Sequence, residues 1–112
     1  MAKVVITALL EEEINKRFKQ ESIAIFSLLR TLEENPKKGK EVGVIGRILI
    51  KEIKYGKFRF YFITDGYKLK VLKVQELKDL LIKFIRMSEK KDQQKTIEEI
   101  KNVLRSLGEE GF

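Results

Sequence analysis

Between residues 47 and 64 the chain reads Arg-Ile-Leu-Ile-Lys-Glu-Ile-Lys-Tyr-Gly-Lys-Phe-Arg-Phe-Tyr-Phe-Ile-Thr, with Lys51, Lys54, Lys57 and Arg59 threaded between β-branched and aromatic residues. Side chains alternate across a strand, so a hairpin of this kind can give one face to a core and hold cations on the other. Cations at fixed spacing suit a partner with regularly spaced negative charge, as a nucleic-acid backbone has. Arg59 is the best placed for phosphate, because its planar fork pairs bidentately with two oxygens. Any chemistry at a phosphodiester would further require stabilised charge on the phosphate oxygens and groups able to give and take protons. Lys51, Lys54, Lys90 and Lys91 are candidates to supply positive charge, and a lysine crowded among cations has a lowered pKa that suits acid or base work. For Lys51 and Lys57 an equal alternative is a solvated charge that discourages edge aggregation. Tyr55 can stack on a base or donate a proton, whereas Tyr61 alternates with Phe60 and Phe62 and is expected in the core.

The charge supports this focus. The net charge is +7, and residues 37–59 carry eight Lys or Arg against only Glu41 and Glu52. Residues 1–36 are close to neutral, with five cations and six carboxylates. A local cationic field of this kind provides sequence-independent affinity for phosphate. Elsewhere the alternating Lys and Glu read as solvated helix surface.

Cysteine and histidine are both absent. That excludes disulfide scaffolds, thiol catalysis and His-based triads, and nearly excludes a transition-metal site, so no metal or cofactor is expected. Glu11-Glu12-Glu13 falls in the first turn of an expected helix, where negative charge complements the dipole and successive residues do not share a face. No apolar run approaches a membrane span and no signal-peptide core is present, so the expectation is a soluble cytoplasmic protein without membrane contact.

The elements that must hold these residues follow from period and punctuation. At 112 residues one domain is expected. Lys3–Thr7 is a short β-prone run. Leu10, Ile14 and Phe18 recur every four residues, then Ile23, Phe26, Leu29 and Leu32 every three, giving two helices broken near Gln20-Glu21-Ser22 or one long bent helix. Asn35-Pro36 ends this region. Residues 37–46, with Gly39, Gly43 and Gly46, read as a flexible basic connection. Strands are expected over 47–54 and 57–64 around a Tyr55-Gly56 turn, then a hairpin turn at Asp65-Gly66 and a strand over Tyr67–Lys73. Leu77, Leu80, Leu81, Phe84 and Ile85 fit a helical face, while Leu80–Met87 also fits a buried strand. Periodicity leaves both open. Thr96 and Glu99 have capping-box spacing, Ile97, Ile100, Val103, Leu104 and Leu107 line one helical face, and Gly108 is a stop signal. Only the last few residues are expected to be loose. The resulting class is α+β, with an N-terminal helical pair packed on a mainly antiparallel twisted sheet and a short C-terminal helix.

Three segments resemble the RelE/ParE/HigB toxin superfamily. Leu32-Glu-Glu-Asn-Pro-Lys-Lys-Gly39 resembles its helix end and following loop. Ile53-Lys-Tyr-Gly-Lys-Phe-Arg-Phe-Tyr-Phe62 is similar to its central R-x-G-x-Y-R-x-x-Y hairpin, with Lys54 and Arg59 at the two basic positions and Phe58 at the tyrosine. Phe84–Thr96, with Lys90-Lys91-Asp92-Gln93-Gln94-Lys95-Thr96, is similar to the last strand and KK-x-Q-K-T loop of HigB-like, phage-derived members. The resemblance implies one domain: strand and helical pair over 1–36, basic loop and sheet over 37–87, Lys-rich loop and helix over 88–108. It favours a strand over Leu80–Met87. It implies the toxin of a type II toxin–antitoxin system, an mRNA endonuclease that acts at the ribosome and inhibits translation until bound by an antitoxin. It assigns catalysis to Arg59, Lys54, Lys90 and Lys91, and RNA binding to Arg47, Lys51, Lys57, Tyr55 and Lys95. The chain departs from the family by about one additional element between Arg59 and Lys90, and its last loop offers lysines, glutamines and an aspartate where many members carry His, Arg or Tyr. A non-catalytic binding member of the same fold is therefore the alternative reading.

Overall fold

A computed structural model describes residues 1–112 as a five-stranded mixed sheet with helices on both faces. The chain enters as strand β1 (Lys3–Ile6) and turns at once into helix α1 (Ala8–Phe18). Thr7 caps that helix by accepting from the Leu10 N–H at 3.3 Å, which satisfies one of its unpaired first-turn amides. A short 3₁₀ turn over Lys19–Glu21 separates α1 from α2 (Ser22–Arg30), which resolves the break near Gln20 in favour of two helices.

Strands β2 (Lys40–Ile45), β3 (Ile48–Tyr55) and β4 (Phe58–Asp65) form a meander, and β5 (Leu81–Glu89) follows after helix α3 (Gly66–Val71). Helix α4 (Gln93–Leu107) completes the fold. The strand order is β1-β5-β4-β3-β2. β1 pairs parallel with β5, and every other pairing is antiparallel. The N-terminal strand thus lies at one edge of the sheet and β2 at the other.

Two cores sandwich the sheet. On one face Leu10 and Ile14 of α1 and Ile25 and Leu29 of α2 pack on Leu49, Ile53, Phe60, Phe62, Ile82 and Phe84. On the other, Ile97, Ile100 and Leu104 of α4 pack on Ile50, Tyr61, Ile63 and Ile85. The second cluster is smaller because α4 covers only part of its face, and the uncovered part becomes the site described below. Tyr61 is fully buried, as its alternation with the two phenylalanines requires, and its hydroxyl exchanges a 2.8 Å hydrogen bond with Ser88.

Several expectations need correction. Residues 40–45, read as flexible connection, form edge strand β2 with a bulge between Glu41 and Gly43. Asp65-Gly66 is a helix start rather than a hairpin turn: the Asp65 carboxylate accepts from the Lys68 N–H at 3.0 Å, and Gly66–Val71 is α3, not a strand. Asp before Gly serves a turn and an N-cap equally well, and the apolar residues that follow alternate as in a strand, with only Leu69 of the helix buried. The β3–β4 loop is Gly56-Lys57, one residue later than expected, with Tyr55 paired to Phe58 and Gly56 at φ 57 in the first loop position, as a type II′ turn requires. Helix α4 begins three residues before Thr96, so Thr96 is a buried interior residue and the Thr96–Glu99 capping box does not form. The last residues are held: Lys83 Nζ donates to the Phe112 carbonyl at 2.9 Å, and Arg86 lies 4.8 Å above the Phe112 ring. The strand over Leu81–Glu89 and the helix stop at Gly108 agree with the sequence reading.

Candidate nucleic-acid interface

Alternation on β3 sends Glu52 and Lys54 to the α4 face, and on β4 it sends Arg59 and Tyr61 there. Lys54 sits directly opposite Arg59, and Glu52 opposite Tyr61. On its other side β3 is paired with β2, where Lys40 lies opposite Glu52. β2 starts only at Lys40, opposite Glu52, while β3 runs on past it to Tyr55, which leaves a notch at the sheet edge. The notch opens into a groove of about 530 Å³ lined by Lys38, Gly39, Lys40, Glu52, Lys54, Arg59, Lys90 and Gln93, with Leu28 and Ile53 as its apolar floor. Lys90 enters because the turn before α4 is tied back to the hairpin tip, its N–H donating to the Lys57 carbonyl at 2.7 Å.

Five cations and one carboxylate therefore face the same space. The carboxylate is tightly held. Arg59 Nε lies 3.4 Å from Glu52 Oε2, both side chains are only 7% exposed, and Gln93 Nε2 donates to Glu52 Oε1. Arg59 Nη1 donates to the carbonyls of Gly56 at 3.0 Å and Phe58 at 2.9 Å, which fixes the guanidinium plane. The Nη2 donors are the ones left to meet an anion. An anion entering here is offered the Nη2 edge of one fixed guanidinium and four ammonium groups.

Of the sequence-derived candidates, Lys54, Arg59 and Lys90 come together, and the others lie elsewhere. Lys91 turns away to Glu89 at 3.9 Å, and Lys57 meets the same carboxylate at 3.3 Å. Lys51 is buried on the opposite face, where its ammonium donates to the Lys37 carbonyl at 2.9 Å and stands 5.9 Å from the Phe62 ring. Burial lowers its pKa, with the Glu41 carboxylate acting in the other direction. The Tyr55 hydroxyl donates to Glu21, which raises its pKa, and its ring packs edge-on to Phe18. Arg47 occupies the β2–β3 turn, five residues or about 15 Å along the strand from Glu52. It pairs there with Asp65 at 3.6 Å and covers the Tyr67 ring. Lys95 is exposed on the first turn of α4.

Lys38, Lys40, Glu52 and Gln93 were not singled out by the sequence reading. Glu52 and Lys54 are two apart in a strand, so period two already places both on one face. Nothing in the sequence brings Lys38 and Lys40 to them, since that follows from the β2–β3 register. Comparison with known proteins finds no matching family model, and no curated protein or solved structure that matches significantly. No helix is long and apolar enough to cross a membrane.

Proposed function

We propose that the protein is an RNA endonuclease of the RelE/ParE/HigB type, the toxin of a type II toxin–antitoxin pair that cleaves mRNA at the ribosome. The observation that carries this reading is the convergence of Lys38, Lys40, Lys54, Arg59 and Lys90 on one groove at the sheet edge. Fixed positive charge around a cleft concentrates phosphate and stabilises the charge that builds up during phosphodiester cleavage. The element order supports it too: a strand, a helical pair, an antiparallel meander, a last strand and a lysine-rich turn before a helix match the resemblance read from the sequence. Such a protein works in the cytoplasm, and a cognate antitoxin would silence it by covering the groove.

One observation favours a second reading, a non-catalytic nucleic-acid or protein-binding member of the same fold. Arg59 is already paired with Glu52 and nearly buried, so the fork most suited to phosphate is partly occupied. Controlled expression separates the two. The endonuclease reading expects growth arrest and fragmented mRNA from the wild type, both relieved by Arg59→Ala or by Lys54→Ala with Lys90→Ala. Unimpaired growth and intact ribosome-bound mRNA would leave only the binding module.

A further inference from the structure

We propose that Glu52, rather than a lysine, is the general base that takes the proton from the 2′-hydroxyl of RNA lying in the groove. The inference rests on the endonuclease reading and adds a catalytic residue to it. Three features of the groove lead to it.

Glu52 is the only carboxylate among the residues that line it. A lysine ammonium at neutral pH already holds its proton and cannot accept another, whereas a carboxylate is free to do so. The groove's lysines thus suit the roles of charge stabiliser and acid, and a base is missing unless Glu52 supplies it.

The carboxylate is also oriented. Oε1 receives the Gln93 amide and Oε2 faces Arg59 Nε at 3.4 Å, so the group cannot rotate freely. About four lone-pair sites exist on a carboxylate and two are engaged, which leaves acceptor capacity for a hydroxyl. A base must lie within hydrogen-bond reach of its proton in a fixed direction, and that is what the two donors provide.

The third feature is charge. Lys40 from β2, Lys38 from the loop before it, Lys54 on β3, Arg59 on β4 and Lys90 before α4 surround Glu52. Tyr61 of β4 pairs with Glu52 across the ladder, and its hydroxyl also feels the charges of Arg59 and Asp92. The same cations stand ready to stabilise the charge that builds on the phosphate oxygens beside the reacting hydroxyl.

In the reaction, the 2′-hydroxyl proton passes to Glu52 as O2′ bonds to phosphorus. The P–O5′ bond breaks, and O5′ takes a proton from the ammonium of Lys54 or Lys90. The products are a 2′,3′-cyclic phosphate and a 5′-hydroxyl. Glu52 returns its proton to solvent and the lysine regains one, so no co-reactant is consumed. Gln93 touches neither reacting atom and is a positioning residue.

The test is single-turnover cleavage of a short mRNA on programmed ribosomes by the wild type, Glu52→Gln and Gln93→Ala. The wild type should yield the cyclic phosphate end. Glu52→Gln should lose about 10²–10⁴ in rate, while its affinity for the same mRNA made 2′-deoxy at the cleaved position changes by less than about threefold. Gln93→Ala, which frees the carboxylate to turn, should slow cleavage several-fold with the same affinity kept. Leaving Arg59 beside a neutral amide risks unfolding, so melting curves accompany the assay. If Glu52→Gln does not fold, the loss of rate at unchanged affinity in Gln93→Ala decides. Cleavage by a folded Glu52→Gln at near wild-type rate, or cleavage by Gln93→Ala at the full rate, overturns the assignment while the endonuclease reading stands. A wild type that leaves the mRNA intact overturns both.

Discussion

Glu89 is the meeting point of three cations: Lys57 at 3.3 Å, Arg17 at 3.7 Å and Lys91 at 3.9 Å. The hydrogen bond from Lys57, with the charges of Lys57, Lys91 and Arg17, holds its carboxyl below the ordinary 4.5. A carboxyl depressed in this way binds fewer protons folded than unfolded. Its stabilising contribution is full above the unfolded value and is lost as pH falls through the folded one. Denaturation midpoints between about pH 3 and pH 7 should therefore drop in acid for the wild type and drop less for Glu89→Gln. Coincident acid limbs would mean that the cluster is fully screened by solvent. Lys51 shows how residue chemistry and residue position come apart. Leu49, Lys51 and Ile53 are two apart in one strand, so their common face was legible from the sequence. A lysine on an apolar face is unexpected until the Lys37 carbonyl gives its ammonium a partner near the sheet edge.

At the scale of elements, the groove depends on how β2 begins. Gly39 immediately precedes β2 at φ 105, a region that side-chain-bearing residues rarely adopt. A Cβ there would stand 3.1 Å from the Glu52 carbonyl and 3.2 Å from the Phe62 ring. Gly39→Ala should then cost roughly 1–3 kcal/mol in chemical denaturation, and it should displace Lys38 and Lys40 from Glu52. Stability and RNA affinity should fall together, and retention of both would show that the turn relaxes without disturbing the groove. The long periodic elements were readable: α1, the β3–β4 hairpin and the Ile97–Leu104 face of α4 announce themselves by spacing, and α2 does so as a helix, although its core residue is Ile25 while Ile23, and Leu107 of α4, face solvent. β2 was not, because Lys40-Glu41-Val42-Gly43-Val44-Ile45 has two glycine-flanked apolar positions and a bulge that breaks alternation. α3 was not, because Tyr67-Lys68-Leu69-Lys70-Val71 alternates with period two although it is helical. The groove shares this limit. Its β3–β4 half is written in a hairpin, and its β2 and α4 halves arrive through pairing and packing that no local pattern encodes.

For the whole molecule, the arrangement of charge predicts how binding responds to salt. Each phosphate neutralised contributes roughly −0.7 to −0.9 to the slope of log K against log salt. Lys54→Ala with Lys90→Ala should flatten the slope for single-stranded RNA by about 1.5 units, whereas Arg47→Ala, in the turn at the far end of β3, should leave it nearly unchanged. Equal flattening by both variants would spread the binding surface over the sheet rather than confine it to the groove. The parallel pairing of β1 with β5 has a further consequence, in the order of events during synthesis. Val4 registers with Ile82 and Ile6 with Phe84, so the first strand waits for nearly the whole chain before it finds its neighbour. Closing so long a loop is entropically costly and slow. Gln93 and Lys90 lie later still, and without them the groove lacks both a lysine and the amide that steadies Glu52. A chain still tethered to the ribosome that is making it therefore has no assembled groove, and whatever the groove binds must wait until the last helix is free to fold.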